Sequence, residues 1–163
     1  MAQKTSKQIH KMDSGTVIKI DLSPGIPQQG FISLYPKPLN PLEVALFLEE
    51  KRLPAKNSSV TLLVASQTLE HIEPRKFFGV MDELWRVLKV GGQLLISVPY
   101  GASIGWLADS HHINHLTAQT WYFFDPNHPT GLYTTYRPKP WKIEKCFFQS
   151  DGIMETLLIK LPK

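Results

Sequence analysis

Glu70 and His71 stand side by side in Ser66-Gln67-Thr68-Leu69-Glu70-His71-Ile72-Glu73-Pro74, directly after an apolar run. A carboxylate and an imidazole at such a place can orient an acceptor or remove its proton. The same pair can also serve structure alone, the acid capping the next helix and the ring packing against it. A second polar constellation is denser: Asp109-Ser110-His111-His112-Ile113-Asn114-His115. His111 and His115 are four apart, which on a helix would place them on one face, with Asp109 able to complete a metal site. Gly105 and its surroundings read as a loop, and no cysteine or second cluster supports zinc, so no metal is assigned.

The elements around these residues follow from hydrophobic period. Phe77, Met81, Leu84 and Leu88 recur at three- and four-residue spacing and predict a helix, widened by Phe78 and Trp85. Pro74 suits its first position, and Gly91-Gly92 its left-handed cap. Asp82, Glu83, Arg86 and Lys89 fall on the remaining face. Val60 to Ala65 and Leu94 to Val98 are nearly continuous apolar runs, as expected of parallel strands covered on both faces. Strand, loop, helix, turn, strand is a unit of a parallel sheet, and such sheets bind ligands outside the carboxyl ends of their strands.

Elsewhere, Val17 to Leu22 and Phe31 to Tyr35 read as short strands, while Leu42 to Arg52 is ambiguous between helix and strand. Tyr100 to His115 reads as a loop over the ligand edge, and Thr117 caps a helix running to Phe124. Trp141 to Phe148 and Met154 to Leu161, joined by Ser150-Asp151-Gly152, predict a closing hairpin. Residues 1–14 read as a flexible polar arm and 15–163 as a single domain.

Composition bounds the rest. The 163 residues carry a net charge of +4, with 42% hydrophobic and 20% charged residues, the values of an ordinary globular domain. Lys4, Lys7, Lys11 and Lys19 lie in or near the arm, and the other lysines are scattered, so no nucleic-acid stripe is expected. A lone Cys146 cannot form an internal disulfide, and no apolar run reaches membrane-spanning length. A cytoplasmic protein with no membrane partner is the expectation.

Leu69-Glu70-His71-Ile72, then Leu84-Trp85-Arg86-Val87-Leu88-Lys89-Val90-Gly91-Gly92, then the strand ending Val98-Pro99, resembles the second half of a class I S-adenosylmethionine-dependent methyltransferase of the type 11 kind. Val90 stands where that family usually has proline. The resemblance covers roughly residues 15 to 125 and implies a Rossmann-like α/β three-layer sandwich. Its seven-strand sheet would be mostly parallel, with an antiparallel C-terminal hairpin. It implies S-adenosylmethionine as cofactor, S-adenosylhomocysteine as product, and an unidentified small-molecule or macromolecular acceptor.

The resemblance also assigns residues. Asp21-Leu22-Ser23-Pro24-Gly25 takes the place of the glycine-rich cofactor turn, with Ser23 replacing the first glycine, a degenerate form of the motif. Tyr35 stands where the family usually has a ribose-binding acid, and Phe47, near Glu49 and Glu50, where it often has an adenine-side acid. Losing a charge-assisted bond weakens binding by roughly 1.5–3 kcal/mol. Ser66 and Gln67 complete the cofactor edge. Glu70, His71, His111 and His112 are the catalytic candidates, the last two because some members line the acceptor pocket with a histidine segment before a turn like Phe123-Phe124-Asp125-Pro126. Trp106, Trp121, Tyr122, Phe123 and Phe124 could stack on a planar acceptor, or serve as core. About fifteen residues precede Val17, where relatives carry one or two covering helices, so either a homo- or hetero-oligomer closes the open cofactor face or the site is open to solvent. The alternative is a binding or scaffold subunit that has lost catalysis and binds the cofactor weakly or not at all.

Overall fold

The computed structural model describes residues 17–26, 28–35 and 38–163, and the polar arm read at residues 1–14 lies outside them. Six strands form one sheet in the order β2-β1-β3-β4-β6-β5: β1 (Lys19–Asp21), β2 (Ile32–Ser33), β3 (Val60–Ser66), β4 (Leu88–Pro99), β5 (Trp141–Phe148) and β6 (Ile153–Lys160). The first four run parallel, and β6 is antiparallel to both β4 and β5. This is the mostly parallel Rossmann-like sheet with an antiparallel closing hairpin. It has six strands among the described residues where seven were expected.

The ambiguous segment after Asn40 is a helix, α1 (Pro41–Glu50). Asn40 accepts from the Glu43 amide (2.9 Å) and the Glu43 carboxylate accepts from the Asn40 amide (2.9 Å), so two orphan donors are satisfied reciprocally at the start. α2 (Phe77–Val87) begins three residues later than Pro74 suggested. Glu73 to Lys76 close a separate turn, with the Lys76 amide donating to the Glu73 carbonyl (2.8 Å). Its buried stripe is Phe77, Val80, Met81, Leu84 and Val87; burying a side chain of this size stabilises by roughly 1.5–3 kcal/mol.

The end of α2 also differs from the sequence expectation. The helix stops at Val87, and β4 starts at once with Leu88. Gly91 (φ +77°) does not cap the helix but turns a bulge within β4, between the pairs Val60↔Leu88 and Leu62↔Gln93. A Cβ on Gly92 would lie 2.8 Å from the Lys89 carbonyl oxygen, so only glycine fits there.

Three short helices follow: α3 (Ile104–Leu107), α4 (Ala118–Tyr122) and α5 (Tyr133–Tyr136). α3 replaces part of the expected loop, with the Ser103 hydroxyl accepting from the Trp106 amide (3.1 Å). Thr117 and Thr120 form the capping box of α4. Trp121 and Phe124 pack with Phe77 of α2 in the core, and the buried Asp125 carboxylate accepts from the Asn127 (2.9 Å) and Ile143 (3.0 Å) amides, clasping the turn to β5.

The two faces of the sheet are unequal. Along β4, Leu94, Ile96 and Val98 are buried, whereas Gln93 and Leu95 are exposed and Ser97 is half-buried. β6 alternates in step, burying Met154, Thr156, Leu158 and Lys160 and leaving Ile153, Glu155, Leu157 and Ile159 half-buried. The expectation of strands covered on both faces therefore holds for one face of β4 among the described residues.

Candidate functional site

Asp21, Ser23 and Gly25 lie at the carboxyl end of β1. The buried Asp21 carboxylate accepts from the Ser23 (2.9 Å) and Gln28 (3.0 Å) amides, bending the loop back over the strand end. The Ser23 hydroxyl accepts from the Ser66 amide (3.0 Å), tying this loop to the end of β3. Gly25 adopts φ +86°, with nothing within 4 Å of a would-be Cβ. The loop is thus a backbone cradle hung between two parallel strand ends.

Tyr35 points into this loop from below. Its hydroxyl donates to the Leu22 carbonyl (3.3 Å), and its ring meets Phe47 edge-on at 5.3 Å. Burial, and then the Asp21 charge, hold the phenol well above its ordinary titration range. Tyr35 is an internal strut for the cradle, and Phe47 is its packing partner. Glu49 accepts from the Glu73 amide (2.7 Å) and pairs with Lys76 (3.0 Å), so it docks α1 on the Glu73–Lys76 turn.

At the end of β3, Gln67 takes a left-handed conformation (φ +51°) that costs a non-glycine residue roughly 1–2 kcal/mol. Its amide donates to the Ser97 carbonyl (2.8 Å). The Thr68 hydroxyl donates to the Ser66 carbonyl (2.9 Å). These bonds aim the chain into a 3₁₀ turn, Leu69–His71. A cavity of about 300 Å³ opens beside the strand ends, lined by Gln28, Phe31, Val64, Ser66, Ser97 and Glu155 among others.

Glu70 and His71 are not open to this edge. The segment after α3 lies over them: the Glu70 carbonyl accepts from the Ile113 and Asn114 amides (both 3.0 Å), and the Asn114 side chain donates to the Leu69 carbonyl (3.3 Å). Glu70 is 0% exposed, His71 4% and His112 9%. Burial pushes the Glu70 carboxyl up to about 7; the backbone amides of Glu70 and Thr68 oppose the rise electrostatically without making a hydrogen bond of sound geometry, and the Asp109 charge adds to it. Burial likewise lowers the His71 ring, against the pull of the His111 carbonyl.

The histidine segment divides. The His112 and His71 rings meet at 4.8 Å, so His112 joins the buried pair. His111 is exposed; its backbone amide (2.8 Å) and ring Nδ1 (3.0 Å) both donate to Asp109 Oδ1, and these bonds hold Asp109 below the usual carboxylate range. His115 packs against the Trp106 ring at 3.8 Å with the planes tilted by 32°. The helical i, i+4 pairing of His111 with His115 does not occur. Sequence reasoning took His111 and His112 as one feature, although the strict burial alternation from His111 to Leu116 separates them.

Residues 4–96, more than half of the chain, match a family model described as a methyltransferase domain. No curated protein matches. Among solved structures, an S-adenosylmethionine-dependent methyltransferase from Mesorhizobium loti superposes with a TM-score of 0.55 at 12% identity, over 98% of each chain. A chain from the Haloferax volcanii complex of the Trm112 methyltransferase activator with a methyltransferase gives 0.54 at 10% identity, over 99% of this chain and 89% of that one. At such identities the shared property is the fold. A type 11 methyltransferase from Sulfolobus solfataricus is 16% identical over 66% of this chain, which spans 54% of that longer protein, with a TM-score of 0.45.

Proposed function

The chain belongs to the methyltransferase domain family, and from that premise we propose that it transfers a methyl group from S-adenosylmethionine to an unidentified acceptor at the carboxyl edge of its sheet. The observation that carries the reading is the cradle at Asp21–Gly25, fixed by its own aspartate and by Ser66, with Gly25 leaving open space where a side chain would stand. The fit to the cofactor is good at this backbone end, where Asp21, Ser23, Gly25, Ser66 and Gln67 would hold the methionine part. It is poorer at the adenosine end, where Tyr35 gives its hydroxyl to Leu22. Bound there, S-adenosylmethionine supplies an electrophilic methyl group on a sulfonium. What the chain contributes is chiefly alignment, since bringing the acceptor into line accounts for much of the acceleration of such a displacement.

For an acceptor that must lose a proton, His111 is the better base by access. Asp109 holds its Nδ1 proton, which leaves Nε2 to accept from the acceptor. Glu70 and His71 could act in that role only if the overlying segment opened.

The test is calorimetric titration with S-adenosylmethionine and S-adenosylhomocysteine. Binding in the micromolar to millimolar range is expected, weakened at least tenfold by Asp21→Ala; silence at millimolar ligand would refute the catalytic reading.

The sheet face that the described residues leave partly uncovered favours a second reading, a subunit that works with a partner. Leu95 is 39% exposed there and Phe147 52%. The Haloferax volcanii chain was captured with an activator, and a comparable partner here would cover this face. Co-purification from the native host tests it; a lone monomer that methylates its acceptor would refute it.

A further inference from the structure

The Glu70 carboxylate is completely buried, and neither of its oxygens meets a hydrogen-bond donor among the described residues. Burial strips water from such a group, and the nearby Glu70 and Thr68 amides offset that loss only in part. Two imidazoles share the spot. One ligand atom each from Glu70, His71 and His112 can be chosen so that all lie within 4.8 Å of one another.

Both rings are held from behind. His71 Nδ1 lies 3.1 Å from the His111 carbonyl and His112 Nδ1 lies 2.9 Å from the Trp106 carbonyl. A carbonyl only accepts, so each Nδ1 carries the proton and each Nε2 keeps its lone pair. A backbone carbonyl behind the ring is the usual arrangement for a metal-binding histidine, because it fixes both tautomer and orientation. Two such imidazoles and one carboxylate make a donor set suited to zinc and its first-row neighbours.

We propose that Glu70, His71 and His112 bind a divalent transition-metal cation that clamps the segment following α3 onto the Leu69–His71 turn. The ligands come from both sides of that contact, His112 from the overlying segment and the other two from the turn. The metal supplies what the Glu70 carboxylate lacks and reinforces the amide bonds from Ile113 and Asn114. Ligands about 2.1 Å from a tetrahedral centre lie about 3.4 Å apart, so the trio closes by at most about 1.4 Å, within side-chain reach. Asp109 Oδ2, 3.8 Å from His112 Nε2, stands close enough to become a fourth ligand. The site needs no S-adenosylmethionine, so it holds or fails independently of methyl transfer.

The experiment is titration of the chelator-stripped full chain with Zn²⁺, without cofactor, followed by calorimetry and thermal melting. One Zn²⁺ per chain and a raised Tm are expected. Removing a directly bound ligand should exceed the 10–100-fold loss seen for residues that merely orient one, so Glu70→Gln and His112→Ala should each weaken binding by about a hundredfold or more. His128→Ala removes a ring stacked on Tyr122, outside the cluster, and should bind as the wild type does. No binding by the wild type, or binding kept at wild-type strength in Glu70→Gln, would overturn the proposal in favour of an adventitious surface ion. Should either ligand variant fail to fold, X-ray absorption on the Zn²⁺-loaded wild type decides: two imidazoles with oxygen support the site, and one imidazole or none overturns it.

Discussion

Tyr35 occupies a position where the family resemblance led us to look for an acid, and it has been turned inward. Its hydroxyl holds the Leu22 carbonyl at the base of the Asp21–Gly25 loop, while Phe47 packs on its ring. Tyr35→Phe should therefore cost about 1 kcal/mol in denaturant unfolding and change S-adenosylhomocysteine affinity by less than about threefold. A tenfold loss of affinity with stability intact would mean that the phenol touches the ligand. With that inward turn, a ligand at this edge would be held by backbone and by Ser66.

At the scale of the element, α2 works through its polar face as much as through its stripe. Arg86 and Glu83, placed by the sequence on the face left by the apolar stripe, are both half-buried. Arg86 holds both Glu83 oxygens (2.7 Å each), the Ala55 carbonyl (2.9 Å), the Leu53 carbonyl (3.1 Å) and the Asn57 side chain (2.8 Å). Glu83 in turn accepts from the Leu53 amide (2.7 Å). The pair ties the 53–57 connection to the helix, which sets where β3 begins. Arg86→Ala should destabilise by on the order of 2–3 kcal/mol, since several charged hydrogen bonds go at once. Arg86→Lys should recover little, because an ammonium cannot reproduce the planar fork. Equal midpoints for wild type and Arg86→Lys in urea unfolding would contradict this.

For the whole molecule, the uneven sheet matters most. The buried face of β4 and β6 shares one core with the stripe of α2 and with Trp121 of α4, and Lys160 closes its far end by donating to the Leu88 carbonyl (2.7 Å) with its ammonium 3.8 Å over the Trp85 ring. The other face presents Leu95, Leu157 and Ile159. If a partner seats there, Leu95→Lys should leave stability within about 0.5 kcal/mol of wild type, as exposed substitutions do, while abolishing co-purification. Retained capture of the partner by that variant would place the interface elsewhere.

Much of the architecture was legible because it is local. The apolar runs at Val60–Ala65 and Leu94–Val98, the stripe from Phe77 to Leu84, the Thr117 cap and the 150–152 turn each encode their element within a few residues. The boundaries were less so: Asn40 and Glu43 decide α1 through two side-chain bonds that periodicity does not register, and Gly91-Gly92 serve a bulge that depends on pairing with β3. Only the tertiary structure decided which polar residues meet. His112 is some forty positions from His71 in sequence, and the fold brings it against Glu70 while sending His111, its immediate neighbour, out to Asp109. Alternation along one extended strand of chain separates the two histidines, and that alternation acquires meaning only where a turn lies beneath it.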